Sequence, residues 1–271
     1  MYLRKTNYGL SGFGIEIDYA AYAILDNTWR NKNVCDPFSR LYFIKDGSGT
    51  LVCEGRTIET KPGHIYLIPA DCIFDYSTDE KIEKIFFHIY INTLERYDLL
   101  SNVKSICEIE FEANEFDELL NCIETDDYFK LFKLKLIIYK TLHRMLEKYN
   151  FNSVPIKQYS DGVKKAMEYI HRNTKISLST EIVSEKLFIS KSKLRKDFKN
   201  ETGISIGKYI DDMVFFKAKR LLNKGYLSIN EISQKLGFCD QFYFSRRFKE
   251  RFGVPPSDYR KRIFLEKSKG E

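Results

Sequence analysis

The second half of the chain contains one unit twice, and this repeat limits the possible fold more than any other feature. The stretch STEIVSEKLFISKSKLRKDFKNETGISIGKY starts at Ser179, and SINEISQKLGFCDQFYFSRRFKERFGVPPSDY starts at Ser228. Laid over each other, they agree at an offset of 49 before a central turn: Ser179 with Ser228, Val183 with Ile232, Ser184 with Ser233, Leu187 with Leu236. After the turn the offset is 50, pairing Leu194 with Phe244, Lys196 with Arg246, Phe198 with Phe248, Lys199 with Lys249, Gly203 with Gly253 and Tyr209 with Tyr259. Such self-similarity marks one supersecondary unit used twice, here with one extra residue in the second turn.

Each unit reads as helix, short turn, helix, with a small residue (Ser184, Ser233) where two helices must approach closely. In the second helix of each, an apolar pair four residues apart faces inward: Leu194 with Phe198, and Phe244 with Phe248. The opposite face then carries Ser192, Arg195, Lys196 and Lys199 in the first unit, and Phe242, Ser245, Arg246 and Lys249 in the second. Gln241 stands at the N-terminal end of its helix. A helix-turn-helix presents side chains to base edges in this way. Between the units, residues 208–223 read as one helix stopped by Lys224-Gly225, a rod of about 24 Å. Ahead of them, Ser160 or Asp161 can cap a helix carrying Val163, Ala166, Met167 and Ile170.

Charge separates this half from the rest. Residues 1–154 hold 18 Lys+Arg against 24 Asp+Glu, whereas residues 155–271 hold 26 against 14, so the C-terminal half is the candidate polyanion binder. Residues 150–160, NFNSVPIKQYS, break the periodicity and read as a linker, which sets two domains, 1–153 and 154–271. The six cysteines lie far apart with no CxxC pair, which fits reduced thiols in a cytosol. With no apolar N-terminal core and no apolar run of about 20 residues, the expectation is a cytoplasmic protein with no membrane partner.

Residues 13–91 read as short strands with tight turns at Asp46-Gly47, Glu54-Gly55 and Pro62-Gly63, the pattern of a small antiparallel barrel or sandwich. From Glu115 the pattern turns helical. Across 127–150, Tyr128, Leu131, Phe132, Ile138, Tyr139, Leu142, Met145, Leu146 and Tyr149 make a broad apolar stripe. One edge of it can cover the barrel and the other can meet a second subunit, with Leu142 and Met145 as the positions where charge would separate a dimer. A purely intramolecular core helix stays open on the residues alone.

The closing stretch GFCDQFYFSRRFKERFGVPPSDYR combines the Gly237-Phe238 turn, YFSRRFK at 243–249, Gly253 and PPSDYR at 255–260. With the repeat before it, this resembles the double helix-turn-helix domain of the AraC/XylS family of bacterial transcription regulators. The resemblance implies an α+β protein: a cupin-like β-barrel with dimerisation helices, then an all-α DNA-binding domain. By motif position Ser192, Arg195 and Lys196 would read bases in the first unit, and Gln241, Phe242, Ser245 and Arg246 in the second; Arg suits guanine and Gln adenine. Lys191, Lys199, Arg247 and Lys249 would contact phosphate. Two departures blur the first unit: Phe188 stands where a turn glycine is common, and Val214 where the linking helix commonly carries arginine.

RLYFIKDGSGTLV and KPGHIYLIPA resemble the family's cupin-like sensor. The implied effector is a small molecule, a sugar among the candidates, held by Trp29, Arg40, Tyr42, Tyr66, Phe74 and His88, since aromatic faces stack on sugar rings and arginine orients polar groups. A metal-dependent cupin enzyme is disfavoured: His64, His88 and His143 show no HxH spacing, and Gly47, Ser48 and Gly49 stand near the expected ligand positions. No catalytic residue, cofactor or metal is therefore expected. The implied function is an effector-responsive activator of a neighbouring operon that works with RNA polymerase on duplex DNA. The residues leave open a repressor and a DNA-architectural protein.

Overall fold

Among the described residues the N-terminal half resolves into nine strands: β1 (Gly14–Leu25), β2 (Arg30–Cys35), β3 (Ser39–Gly47), β4 (Thr50–Cys53), β5 (Arg56–Glu59), β6 (His64–Ile68), β7 (Ile73–Ser77), β8 (Ile82–Asn92) and β9 (Cys107–Glu110). The computed structural model describes residues 14–92, 100, 103, 105–123, 127–149 and 159–261. Two compact units are present, Met1–Asn152 and Ser153–Glu271. Residues 150–158 of the linker lie outside the described residues.

The strands form two antiparallel sheets, one in the order β1-β8-β3-β6-β9 and one in the order β2-β7-β4-β5. Residues of both, among them Leu51, Tyr66, Phe74 and Phe86, share one core, so the sheets lie face to face. Successive side chains of a strand point to opposite faces, and β8 fills both. Ile82 and Phe86 enter the core between the sheets. Ile85, Phe87, Ile89 and Ile91 enter a second core under α1 (Ala113–Ile123) and α2 (Tyr128–Lys148). The Glu54-Gly55 turn has φ of 49° and 75°, the paired left-handed geometry that joins hairpin strands without splaying them. Strand β9 is absent from the sequence reading because its four residues are too few to establish a period.

Asp127 caps α2 by accepting a hydrogen bond from the Phe129 amide at 2.8 Å. The broad stripe of this helix divides in two. Leu134, Ile137, Ile138, Thr141, Leu142 and Met145 are buried, while Tyr128, Phe129, Phe132 and Leu136 are exposed. This corrects the expectation for Leu142 and Met145. Both belong to the core under the sheet, so charge there would disrupt the unit itself instead of separating subunits.

The C-terminal unit holds α3 (Asp161–Arg172), α4 (Thr180–Lys186), α5 (Lys191–Thr202), α6 (Ile206–Lys224), α7 (Ile229–Lys235) and α8 (Gln241–Phe252). The repeat is kept residue for residue: α4 and α7 start 49 apart, α5 and α8 start 50 apart, and the additional residue of the second turn is Cys239. Ser179 and Ser228 cap the first helices, Ser190 and Asp240 the second, and Gly203 and Gly253 end the second in the left-handed conformation. Ser160 is the residue before α3, but its side chain makes no cap; its amide donates instead to Glu201 at 2.7 Å. Helix α6 begins two residues earlier than its periodicity suggests because Ser205 caps it. Along it Ile210, Met213, Val214, Phe215, Ala218 and Leu222 are buried, and Val214, where arginine is common, is therefore a core residue.

His171, in the last turn of α3, stacks on Tyr209 and lies 2.8 Å from its hydroxyl. Burial lowers its pKa from the ordinary 6.5 to about 4. The unfolded chain therefore binds a proton below pH 6.5 that the folded chain accepts only near pH 4, so stability falls as pH drops through that window. We expect a loss of about 3 kcal/mol from this group, measured by urea denaturation followed by circular dichroism. The His171→Gln variant should lose most of that pH slope.

Candidate nucleic-acid interface and effector core

The reading helices expose the predicted faces. Leu194, Phe198, Phe244 and Phe248 are fully buried. Ser192, Arg195, Lys196 and Lys199 on α5 are exposed, and together with Lys191 and Asn200 they line one open groove. Asn200 is a member of this set that charge and motif position do not single out. On α8, Phe242, Arg246 and Lys249 are exposed, and Gln241 and Ser245 are half-buried.

The two faces differ in what restrains their cations. In the first unit Glu181, from the first turn of α4, pairs with Lys191 and lies 3.7 Å from Arg195. The second unit has Asn230 at the position of Glu181. There Arg246 lies over the Tyr243 ring at 5.4 Å and 3.9 Å from Glu250. Arg247 leaves the predicted phosphate set: it bonds Asp211 of α6 at 2.8 Å and the Tyr243 hydroxyl at 3.1 Å. Arg251 also bonds Asp211, at 2.7 Å, and pairs with Asp212. These charge-assisted bonds fasten α8 to α6, with Asp211 shared between two arginines and Arg251 shared between two carboxylates.

Gly237 and Phe188 occupy equivalent turn positions, and both have positive φ, 77° and 54°. Glycine adopts that conformation freely, whereas a side chain meets the following carbonyl and costs roughly 1–2 kcal/mol. Phe188 recovers nothing through burial, being 97% exposed.

In the N-terminal unit the six expected effector residues are all buried, and the structure sorts them into a connected set and one outlier. Arg40 donates to Asp36 from Nε at 2.8 Å and to the Tyr42 hydroxyl at 3.2 Å, with its guanidinium over the Phe38 and Phe74 rings. His88 is paired across the strands with Arg40 and stacks on Phe38 at 4.2 Å. Trp29 stacks on Tyr76 at 4.7 Å and meets Tyr42 edge-on at 6.0 Å. Tyr66 shares the same core, but its hydroxyl accepts from the Lys61 amide at 3.0 Å, and burial pushes its pKa up to about 12. Sequence reading missed Lys84, which lies inside this set against the rings of Trp29 and Tyr42. The signal was available in the alternation of β8, which sets Lys84 in phase with Ile82 and Phe86. Among the described residues no cluster of three or more His, Cys, Asp or Glu side chains is placed to hold a metal ion, and no helix is long and apolar enough to cross a membrane.

Paired helix-turn-helix units, joined in one chain to an aromatic and cationic core between two sheets, define a two-part DNA-binding regulator. Comparison with known proteins gives the same division. Residues 183–262 match the helix-turn-helix domain, and residues 21–133 match the AraC-like ligand binding domain. The Msm operon regulatory protein of Streptococcus mutans is 28% identical over 82% of this chain and 84% of its own length. The lactose operon transcription activator of Staphylococcus xylosus is 22% identical over 82% and 83%. The arabinose operon regulatory protein of Escherichia coli is 27% identical over 79% and 77%. The chain belongs to the AraC/XylS family of transcription regulators.

The strained first turn gives a direct test. Replacing Phe188 with glycine should raise stability by about 1 kcal/mol, since relief of the left-handed strain exceeds the entropy that glycine adds to the unfolded chain. The midpoint of urea denaturation measures it.

Proposed function

We propose that this protein is an effector-responsive activator of a carbohydrate operon, acting as a dimer on duplex DNA together with RNA polymerase. The observation that carries the reading is the pair of reading helices with buried apolar backs and outward polar faces, in a chain that also encloses an aromatic and cationic core. Relatives named for lactose and arabinose operons support the carbohydrate assignment, and the aromatic walls of the core suit the apolar faces of sugar rings. The domain assignment, 1–153 for effector and dimer contacts and 154–271 for DNA, follows from the same division of roles. Control of DNA by the effector requires that it bind one arrangement of the protein better than another.

Ser192, Arg195 and Lys196, with Gln241, Phe242, Ser245 and Arg246, are the base readers in this account. Phe242 suits a thymine methyl, which agrees with its 77% exposure at the start of α8. Lys199 and Lys249 lie further along the same helices and suit phosphate. Dimerisation is assigned to the exposed row of α2, where Tyr128, Phe132 and Leu136 follow one another every fourth residue with Phe129 beside them.

Two measurements test the reading. Arg246→Ala should lose about 1–3 kcal/mol of discrimination between operator variants, whereas Lys249→Ala should weaken every site alike and reduce the salt slope by about one. Equal behaviour of the two variants in fluorescence-anisotropy titrations overturns the role assignment. Phe132→Glu should sediment as a folded monomer at concentrations where the parent chain is a dimer; an unchanged species removes α2 from the interface.

A further inference from the structure

Strand β8 carries a lysine into the interior of the N-terminal unit. Lys84 is 2% exposed, and its Nζ lies 3.6 Å from the centroid of the Trp29 ring, 4.0 Å from that of Tyr42 and 5.3 Å from that of Phe86. Among the described residues no carboxylate forms an ion pair with it. Asp36, a carboxylate in the same interior, is occupied by Arg40 through two bonds to one oxygen at 2.8 and 2.5 Å. The two cations are joined through Tyr42, whose hydroxyl accepts from Arg40 while its ring faces Lys84. This interior therefore contains a lysine nitrogen with aromatic faces around it and, among the described residues, no carboxylate paired with it.

Ring quadrupoles offset only part of the cost of removing an ammonium from water. Desolvation, with the charge of Arg40 added, holds the Lys84 amine well below its ordinary pKa. A structural lysine of this kind is a poor solution, because methionine fills the same space with no polar head. An entering anion would supply the missing partner. Beside Lys84 the aromatic wall is formed by Trp29 and Tyr76, stacked on each other at an interplanar angle of 27°. Gly49 lets the indole sit there, since a Cβ at that position would stand 2.9 Å from it.

We propose that the effector is an anionic sugar derivative, a sugar phosphate or a sugar acid, whose charged group pairs with Lys84 while its ring lies against the aromatic wall of Trp29. This rests on the carbohydrate-effector reading above and deepens it. Lys84 is then the residue that separates a charged sugar from its neutral parent, because only an anionic ligand offsets the cost of holding a proton on the buried amine.

The test is a thermal-shift titration of the full chain with matched probes: glucose, galactose and lactose, the 6-phosphates of glucose and galactose, glucuronate, galacturonate, and inorganic phosphate. Lys84→Met and Lys84→Gln are titrated in parallel, and circular dichroism selects the variant that retains the fold. The expected result is a shift by at least one charged sugar, absent with its neutral parent and with inorganic phosphate, and at least tenfold weaker in the Lys84 variant. Whether the phosphates or the uronates act identifies the source of the charge. A charged sugar whose shift survives in the variant is bound at the basic reading helices, and that overturns the proposal. A neutral sugar that acts equally in parent and variant overturns the charge inference and leaves the effector reading in place. No shift from any sugar removes both together.

Discussion

Burial of β8 on both faces is the constraint on which the N-terminal unit depends. The strand pairs with β1 on one side and β3 on the other, and its alternate residues supply two separate cores. A slip of one residue would send Lys84 under the helices and Phe87 between the sheets, exchanging every contact at once. The irregularities in these two pairings fall between Ile17 and Tyr19 on β1 and between Ile44 and Asp46 on β3, so the partner strands adjust their register while β8 continues uninterrupted. The placement of the core between the sheets and the seating of α2 both follow from that register.

In the C-terminal unit the repeat supplies the pieces, and different contacts hold each copy in place. The second reading helix is tied to α6 by Arg247 and Arg251 on Asp211 and Asp212. The first has Asp197 and Glu201 at the equivalent positions, so its ties have the opposite sign: Asp197 pairs with Lys193 of its own helix, and Glu201 accepts the Ser160 amide at the start of α3. Copies that agree in their buried residues have thus diverged in the polar contacts that fix them.

This division explains what was legible in the sequence. The repeat, the inward pairs Leu194/Phe198 and Phe244/Phe248, the glycine stops and the turns all rest on local pattern, and each stands in the structure where the pattern puts it. Roles that depend on a distant partner were not legible. Arg247 reads as one more outward cation until Asp211, 36 residues earlier, is seen beside it. Leu142 and Phe132 belong to one apolar stripe until the sheet covers only one of them. Lys84 was not singled out, because a charged side chain in a strand ordinarily marks the wet face, although Ile82 and Phe86 flank it in phase. Tyr66 is expected among the effector residues; it is buried, but the direction of its hydroxyl depends on the Lys61 amide, which no periodicity specifies.

The difference between the two outward faces has a geometric consequence. A protein made of identical reading units related by a two-fold axis sees the same surface when its target is turned end for end. One copy of this chain does not: α5 offers serine and cations beside the Glu181 carboxylate, and α8 offers glutamine, an exposed phenylalanine and an arginine beside an aromatic ring. With α6 setting the order of the two, a duplex engaged by both units is read with a polarity. A single subunit engaged through both units would therefore meet a duplex with two unlike faces in a fixed order, whether or not a second subunit binds beside it.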